Sequence, residues 1–269
     1  MELRLSDGVS YLVFPELSAL GVVSHAFTTR LGGVSVGPFA TLNMGYHVGD
    51  DPACVGENRK RVLRAVEAPS DALVAGVQVH GSHTAVVGPN DRGCEWAPGS
   101  PGIPATDSLV TSYPGVVLSC YVADCVPIFL VHRGGRAIGL VHAGWRGVAL
   151  NAPGQAVATL CRAFGLKPGD ILAGIGPSIG SCCYEVGREV AVACQTAARS
   201  ADVALPAGRG KFRLDLKEAC RKELLIAGLA RDNILVSTLC TSCREDLFFS
   251  YRGASGTTGR MAALMFIPE

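Results

Sequence analysis

Short runs of apolar residues, separated by polar or glycine-containing segments, dominate the middle and the end of the chain. They predict β-strands, because each run is too short for a typical helix and is rich in β-branched residues. Several runs are apolar throughout, which indicates strands buried on both faces. The predicted strands are Val116–Val122, Val126–Val131, Ala137–Val141, Ile171–Ile175, Ile234–Thr238 and Ala262–Phe266.

Longer segments carry apolar residues at helical spacing. They predict helices at about 52–68, 148–164, 185–198 and 215–229. Strands and helices alternate in the middle of the chain, but some strands follow one another directly, so the pattern favours a mixed α/β fold with sheets covered by helices. The stretch from Gly88 to Pro104 is rich in Pro, Gly and Asn and predicts a surface loop.

Composition narrows the class of protein. The chain has 269 residues and 48% apolar content, enough for a substantial core, and we expect one domain over residues 1–269. Basic and acidic residues number 24 and 23, which argues against a nucleic-acid partner and favours small molecules. No apolar run is long enough to span a membrane, and 11 cysteines, an odd number, suit a reducing compartment. We therefore expect a cytoplasmic monomer or small homo-oligomer that contacts no membrane.

Four polar segments stand at the ends of predicted elements, where α/β sheets commonly build their sites. Cys125 interrupts an apolar run between two strands, and His142 ends the next strand. A hairpin would bring these two residues to one edge if its return strand is long. The four segments are 28–33, 78–81, 123–127 and 142–147.

His80, Cys125 and His142 form a candidate catalytic centre with two chemical interpretations. Two imidazoles and a thiolate meet the ligand count of a catalytic zinc site, whose fourth position stays open. The same residues would serve a nucleophilic pair, in which Cys125 attacks a carbonyl, a histidine takes its proton and Asp124 orients that base. The residues alone favour neither interpretation over the other.

Other polar features are less specific. Arg30, Arg59 and Arg146 stand in glycine-containing or polar contexts, and guanidinium groups suit phosphate, although each could equally be a solvated arginine. The segment 174–180 has several glycines but fits no phosphate-binding fingerprint, so a tight turn is favoured over a substrate-facing loop. Cys240 and Cys243 have the spacing of a metal knuckle or a redox pair, but no second such pair exists, so a structural role is favoured. The adjacent cysteines at 182 and 183 are interpreted as packing residues.

Taken together, an ordered series of motifs over nearly the whole chain resembles the YfiH-type laccase-domain family. Proteins of this family were formerly called multicopper polyphenol oxidases and are now regarded as purine nucleoside phosphorylases with adenosine deaminase activity. The motifs lie at 27–33 with Ser35, 41–45, 49–51, 58–59, 78–81, 106–110, 123–128, 142–147, 175–186, 248–252 and 258–260.

The resemblance implies a four-layer αββα arrangement of mixed sheets and identifies His80, Cys125 and His142 as metal ligands. It implies zinc as the cofactor, with copper as an alternative metal. The implied substrates are adenosine, inosine, guanosine and 5'-methylthioadenosine, cleaved with phosphate to free base and ribose 1-phosphate or its methylthio analogue. The chain departs from the family at Val122, where Thr is frequent, and at Gly253, where a second Arg is common.

We assign provisional roles around the metal. Arg30 and Arg59 are expected to position phosphate, since a nearly neutral protein needs local positive charge to hold an anion. Asn43, Gln78 and Arg146 are expected to bind substrate. The alternatives are a cysteine hydrolase, a copper-dependent polyphenol oxidase, for which six histidines are few, and a binding module without catalysis, which so many polar motifs disfavour.

Overall fold

The computed structural model describes residues 1–70, 72–94 and 97–269. In these ranges the α-helices are α1 Pro15–Ser18, α2 Pro52–Ala65, α3 Trp145–Ala149, α4 Ala152–Phe164, α5 Arg188–Ala197 and α6 Leu216–Ile226. The β-strands are β1 Glu2–Ser6, β2 Val9–Val13, β3 Ser24–Thr28, β4 Leu73–Ala75, β5 Thr84–Val86, β6 Ser108–Thr111, β7 Val117–Val122, β8 Val126–His132, β9 Ile138–Ala143, β10 Ile171–Ile175, β11 Glu185–Gly187, β12 Ala204–Gly208, β13 Lys211–Leu214, β14 Ile234–Val236 and β15 Met261–Phe266.

Most strands lie in two mixed six-stranded sheets. The first has the order β1-β2-β3-β15-β7-β4 and the second the order β14-β10-β8-β9-β6-β5. Three pairs, β4 with β7, β5 with β6 and β10 with β14, are parallel, and the other pairs in these sheets are antiparallel. A small antiparallel sheet of β11, β13 and β12 accompanies them.

The side chains of each large sheet alternate between two apolar cores. In β7, Leu118 and Cys120 pack in a core shared with the second sheet, whereas Val117 packs towards α2. In β8, Phe129 enters the shared core and Leu130 packs towards α4, α5 and α6. Because successive strand residues point to opposite faces, the two sheets are stacked face to face. The layers therefore run α2, first sheet, second sheet, α3–α6, and the predicted αββα arrangement is confirmed.

The predicted elements are found, with shifted boundaries. The helix expected from 148 to 164 is divided at Asn151, whose φ of 57° lies in the left-handed region, into α3 and α4. The sequence pattern does not predict β1–β6 or β11–β13, which are short or alternate with polar residues. Residues 185–187, predicted as the start of a helix, form β11, and the helix begins at Arg188. The predicted loop at 88–104 is irregular over its described residues and includes one 3₁₀ turn, Pro89–Asp91, while residues 95 and 96 lie outside the described ranges. No described helix is both long and apolar enough to cross a membrane.

The hairpin of β8 and β9 places the predicted metal ligands. Val126 pairs with Ala143 and Pro127 with His142, so Cys125, one residue before β8, lies at the same edge as His142. The return strand is long enough for this because β9 continues to Ala143. The expected convergence of Cys125 and His142 is thus produced by the register of one antiparallel pair.

Candidate metal centre and substrate cleft

The structure brings His80, Cys125 and His142 together from three parts of the chain. Their potential ligand atoms all lie within 4.8 Å of one another. The two imidazole rings are 5.0 Å apart between centroids and inclined by 69°, so they approach the same point from different directions. Two nitrogen donors and one sulfur donor with this spacing fit a zinc site with an open fourth position.

Asp107, immediately before β6, holds two of these potential ligands in place. Its Oδ1 lies 2.8 Å from His142 Nδ1. Since a carboxylate only accepts hydrogen bonds, Nδ1 carries the proton and Nε2 is left to bind a metal. The carboxylate also accepts the backbone N–H groups of Val79, His80 and Gly81 at 3.2, 2.9 and 2.7 Å. One buried side chain therefore orients His142 and fixes the loop that carries His80.

The charges in the centre favour a thiolate. Burial alone would raise the pKa of Cys125, but the neighbouring imidazoles of His142 and His80 lower it below its ordinary value. Burial would lower the pKa of His142, but Cys125 and Asp107 raise it. A metal ion prefers the deprotonated sulfur and displaces the second proton from the ring, so the centre is electrostatically prepared for a cation.

The backbone is held in the left-handed region at one potential ligand and immediately before another. His80 has a φ of 59° and Asp124, which precedes Cys125, a φ of 86°. Asp124 is anchored by its carboxylate, which accepts Thr241 Oγ1 at 2.6 Å and the Arg252 backbone N–H at 2.7 Å. Conformations of this kind cost free energy and persist where surrounding contacts impose them.

Gly144 leaves room for the ligands. A Cβ at this position would lie 2.8 Å from His80 Cδ2 and 3.1 Å from Cys125 Sγ. Any side chain would therefore push these two residues apart. The glycine that follows β9 is required by the close approach of the ligand side chains.

The metal centre opens into a cleft of about 730 Å³, a volume in the range of small-molecule sites. Its wall combines aromatic, apolar and cationic side chains. The lining residues other than the three ligands are His47, Gly76, Val77, Gln78, Tyr121, Val122, Ala123, Asp124, Gly144, Trp145, Arg146, Ile179, Tyr184, Leu216, Tyr251, Arg252 and Arg260.

Three arginines supply positive charge to this cleft. Arg146 lies over the Trp145 ring, with 4.5 Å between the guanidinium carbon and the ring centroid, and Arg252 lies 5.2 Å from the Tyr184 centroid. Arg260 donates to the Thr258 carbonyl at 3.0 Å. Such cations, placed beside a metal centre, can hold an anionic oxygen substrate.

Arg30 and Arg59, which we expected to position phosphate, do not line the cleft. Arg59 is fully buried, donates twice to the Met44 carbonyl and stacks on Tyr121, whose ring centroid is 4.5 Å away. Arg30 donates to the carbonyls of Ala40 and Glu245, each at 3.0 Å. In these positions their guanidinium groups support the loops and the wall around the cleft.

Asn43 and Gln78, both expected to bind substrate, act mainly on the backbone. Asn43 is fully buried, and its Oδ1 accepts the backbone N–H of Arg260 at 2.8 Å, so it positions a cleft arginine. Gln78 lines the cleft, but its amide exchanges hydrogen bonds of 2.9 and 2.8 Å with the backbone of Tyr121. Arg146, the third residue of this group, does face the cleft.

Several residues of the site escaped prediction. Asp107 lies in the motif at 106–110, and residue type and spacing gave it no role. Tyr184 and Arg260 lie in motifs that were recognised without a function. The segment 174–180, interpreted as a tight turn, does reach the cleft through Ile179, whose N–H donates to the Asp124 carbonyl at 3.0 Å.

Two similar proteins of known sequence carry the same functional name. The Purine nucleoside phosphorylase YlmD of Geobacillus stearothermophilus is 43% identical over 241 residues, 88% of each chain. The Purine nucleoside phosphorylase YfiH of Escherichia coli is 33% identical over 259 residues, which cover 96% of this chain and all of that protein. The crystal structure of the Geobacillus YlmD superposes with a TM-score of 0.93 at 40% identity, covering 100% of this chain and 98% of the other.

A second solved structure agrees with the first. That of the Bacillus licheniformis hypothetical protein YfiH gives a TM-score of 0.91 at 36% identity over 98% of both chains. The family model described as "Multi-copper polyphenol oxidoreductase laccase" matches residues 24–268. Nearly the whole chain is matched in sequence and in fold. The protein therefore belongs to this laccase-domain family, and the YfiH and YlmD proteins are its relatives.

Proposed function

We propose that the protein is a zinc-dependent purine nucleoside phosphorylase. The observation that carries this proposal is that His80, Cys125 and His142, which we call the metal triad, line a cleft that also presents three arginines and several aromatic rings. The relatives at 43% and 33% identity are named purine nucleoside phosphorylases, and this chain has side chains suited to both substrates of that reaction.

His80, Cys125 and His142 would hold the metal. Their donor set, the hydrogen bond that His142 Nδ1 donates to Asp107 and the space left by Gly144 all fit a zinc ion held by three protein ligands. Bound there, zinc would supply a positive charge and a Lewis acid facing the cleft.

The chain's own residues would bind and orient the two substrates. Arg146, Arg252 and Arg260 would hold phosphate near C1' of the nucleoside, while Trp145 and Tyr184 offer flat apolar surface for the purine. In the reaction a phosphate oxygen forms a bond to C1' as the bond from C1' to the purine nitrogen breaks. The electron pair leaves with the purine, which takes up a proton. Holding both substrates in this order supplies the orientation that phosphorolysis requires.

The proposed substrate range rests on the family resemblance. We propose adenosine, inosine, guanosine and 5'-methylthioadenosine as nucleosides, and deamination of adenosine as an additional activity. Deamination replaces the exocyclic amino group with oxygen from water and releases ammonia, so it does not consume phosphate. The two activities are therefore separable by their dependence on phosphate.

Product analysis tests the proposal directly. The purified protein is incubated with inosine or adenosine, with and without phosphate, and free base, ribose 1-phosphate and deaminated nucleoside are resolved chromatographically. We expect phosphate-dependent release of base with one ribose 1-phosphate for each base. Cys125→Ser should lower this rate by more than about 100-fold, since even groups that only orient a ligand contribute 10- to 100-fold. Cys54→Ser, in α2 and outside the cleft, is the matched control, and absence of turnover in the unmodified protein would disprove the proposal.

A cysteine hydrolase is the second candidate, favoured by the lowered pKa of Cys125 beside two histidines. A thiolate paired with an imidazolium is an active nucleophile without any metal. The two candidates respond oppositely to chelation: a metal enzyme loses activity when stripped and regains it with zinc, whereas the hydrolase keeps its activity. Reconstitution with copper instead of zinc, followed by assays of nucleosides and phenols, tests the polyphenol oxidase alternative.

A further inference from the structure

Four cysteines that the sequence left as packing or structural residues converge in the structure. The sulfur atoms of Cys182, Cys183, Cys240 and Cys243 all lie within 4.8 Å of one another. We call this group the tetrathiol cluster. It is separate from the metal triad, because none of its members belongs to that triad or lines the cleft.

The distances within the tetrathiol cluster match those of a tetrahedral metal site. Cys243 Sγ lies 3.5 Å from Cys182 Sγ and 3.4 Å from Cys183 Sγ. A tetrahedral site with zinc to sulfur bonds of about 2.3 Å has sulfur atoms about 3.8 Å apart. Small movements of the side chains would therefore place all four sulfurs around one ion.

The surroundings of the tetrathiol cluster suit negatively charged sulfur. Cys240 Sγ accepts the backbone N–H of Gly180 at 3.2 Å. Lys217 is buried nearby, where its ammonium group donates to the Leu239 carbonyl at 2.8 Å and interacts electrostatically with Cys240 and Cys182. Arg213 donates to the Cys182 carbonyl at 2.7 Å. A set of four thiolates carries excess negative charge even after binding a divalent ion, and these groups offset part of it.

We propose that Cys182, Cys183, Cys240 and Cys243 form a second, structural zinc site. Four sulfur donors in a tetrahedral arrangement select zinc among the common divalent ions, and a complete set of protein ligands leaves no open position for substrate. Binding converts four thiols to thiolates and releases their protons to solvent, with no oxidant or reductant involved. The site requires nothing of the metal triad and does not rest on the proposed function.

The position of the tetrathiol cluster gives this second metal a role. Two of its ligands follow Ile179 and precede Tyr184 in one segment, and the other two flank Thr241 in another. These segments already meet in a β-bridge between Ser178 and Cys240. A bound ion would clamp together one wall of the cleft, because the first segment supplies Tyr184 and the second, through Thr241, anchors Asp124.

Metal content tests the proposal without any activity assay. The protein is purified under reducing conditions, equilibrated with Zn²⁺, freed of unbound metal and analysed for zinc per chain. We expect about two ions for the unmodified chain, falling to about one in the double variant Cys240→Ser/Cys243→Ser. Cys54→Ser, which lies in α2 and belongs to neither group, should retain about two. Equal zinc content in the double variant and the unmodified chain would overturn the proposal.

Cobalt substitution keeps the test decisive if the double variant folds poorly. Co²⁺ bound by four thiolates gives intense sulfur-to-metal charge-transfer absorption, stronger than one thiolate produces. We expect this absorption in the unmodified chain and in His80→Ala/His142→Ala, which lacks the triad. Its absence from both would overturn the second site. If the metal triad does not bind zinc but the tetrathiol cluster does, the zinc content should be about one ion in the unmodified chain and none in the double cysteine variant.

Discussion

Replacing Asp107 with asparagine should weaken the candidate metal centre, although Asp107 is not one of its three potential ligands. Oδ1 of Asp107 faces His142 Nδ1 and the His80 backbone N–H, and Oδ2 faces the N–H groups of Val79 and Gly81. An asparagine offers one oxygen and one NH₂ group, so either pair of donors would face another donor. If the NH₂ replaces Oδ1, the His142 ring can still accept through Nδ1, but its proton then moves to Nε2, the atom that should bind the metal.

The magnitude of the effect follows from these contacts. Two donors without a partner cost about 1–3 kcal/mol each, and because the loop amides are only partly buried we expect the free energy of unfolding to fall by about 2–4 kcal/mol. Orientation of a metal-binding histidine by such a group contributes 10- to 100-fold to affinity. Zinc affinity should therefore fall by about 1.4–2.8 kcal/mol of binding free energy.

Two measurements check this expectation. Competition against a chromophoric chelator gives the zinc affinity, and urea unfolding of the metal-free protein gives the stability. The control is Asp7→Asn, which removes an exposed ion pair with Arg64 at 3.1 Å and should change stability by about 1 kcal/mol or less. Zinc affinity and stability of Asp107→Asn that equal those of the control would refute the reasoning.

Three further predictions address space, charge and burial. Gly144→Ala should reduce zinc affinity, because its Cβ would lie 2.8 Å from His80, whereas Gly169→Ala, with no atom within 4 Å, should leave affinity unchanged in the same titration. Arg252→Met should raise the KM for phosphate several-fold, while Arg244→Met, outside the cleft, should not; equal values would contradict the proposed anion site. Burial raises the pKa of Glu223 from 4.5 to about 8, so stability should fall as pH rises from about 4.5 through 8 and then level off. Glu223→Gln should remove this dependence and be more stable by a few kcal/mol at alkaline pH, as measured by urea unfolding.

The core strands could be predicted from the sequence because a strand buried on both faces consists almost entirely of apolar residues. β7, β8, β9, β10 and β15 are buried along their whole length. Among the strands that escaped prediction, β1 is mostly exposed and β5 only partly buried, whereas β4 and β6 are buried but only three and four residues long. Short strands of this kind depend on partners distant in sequence, and their own residues carry a weak signal.

The metal ligands could be proposed from residue type and resemblance, but the cationic residues could not be sorted in the same way. Arg59 and Arg252 both lie in recognised motifs, and a guanidinium that stacks on buried tyrosines has the same sequence signature as one that faces substrate. Only the three-dimensional packing separates them. Arg59 is enclosed by the Met44 carbonyl and two aromatic rings, whereas Arg252 extends over Tyr184 at the cleft.

Asp107 and Asp124 make contacts that hold the site together and that the spacing of residues in the sequence does not reveal. Asp107 joins the loop at 79–81 to His142, and Asp124 joins Ile179, Thr241 and Arg252. Each side chain satisfies donors from segments far apart in the chain, so the ligands and the cleft wall are fixed only when both sheets have assembled. The energetic cost of the left-handed backbone at Asp124 is consistent with this role, because the Asp124 carboxylate contacts Thr241 and Arg252 while Cys125, the next residue, lies beside His80 and His142. The order of the site is therefore a property of tertiary contacts, and disturbing either aspartate should loosen the metal centre and the cleft together.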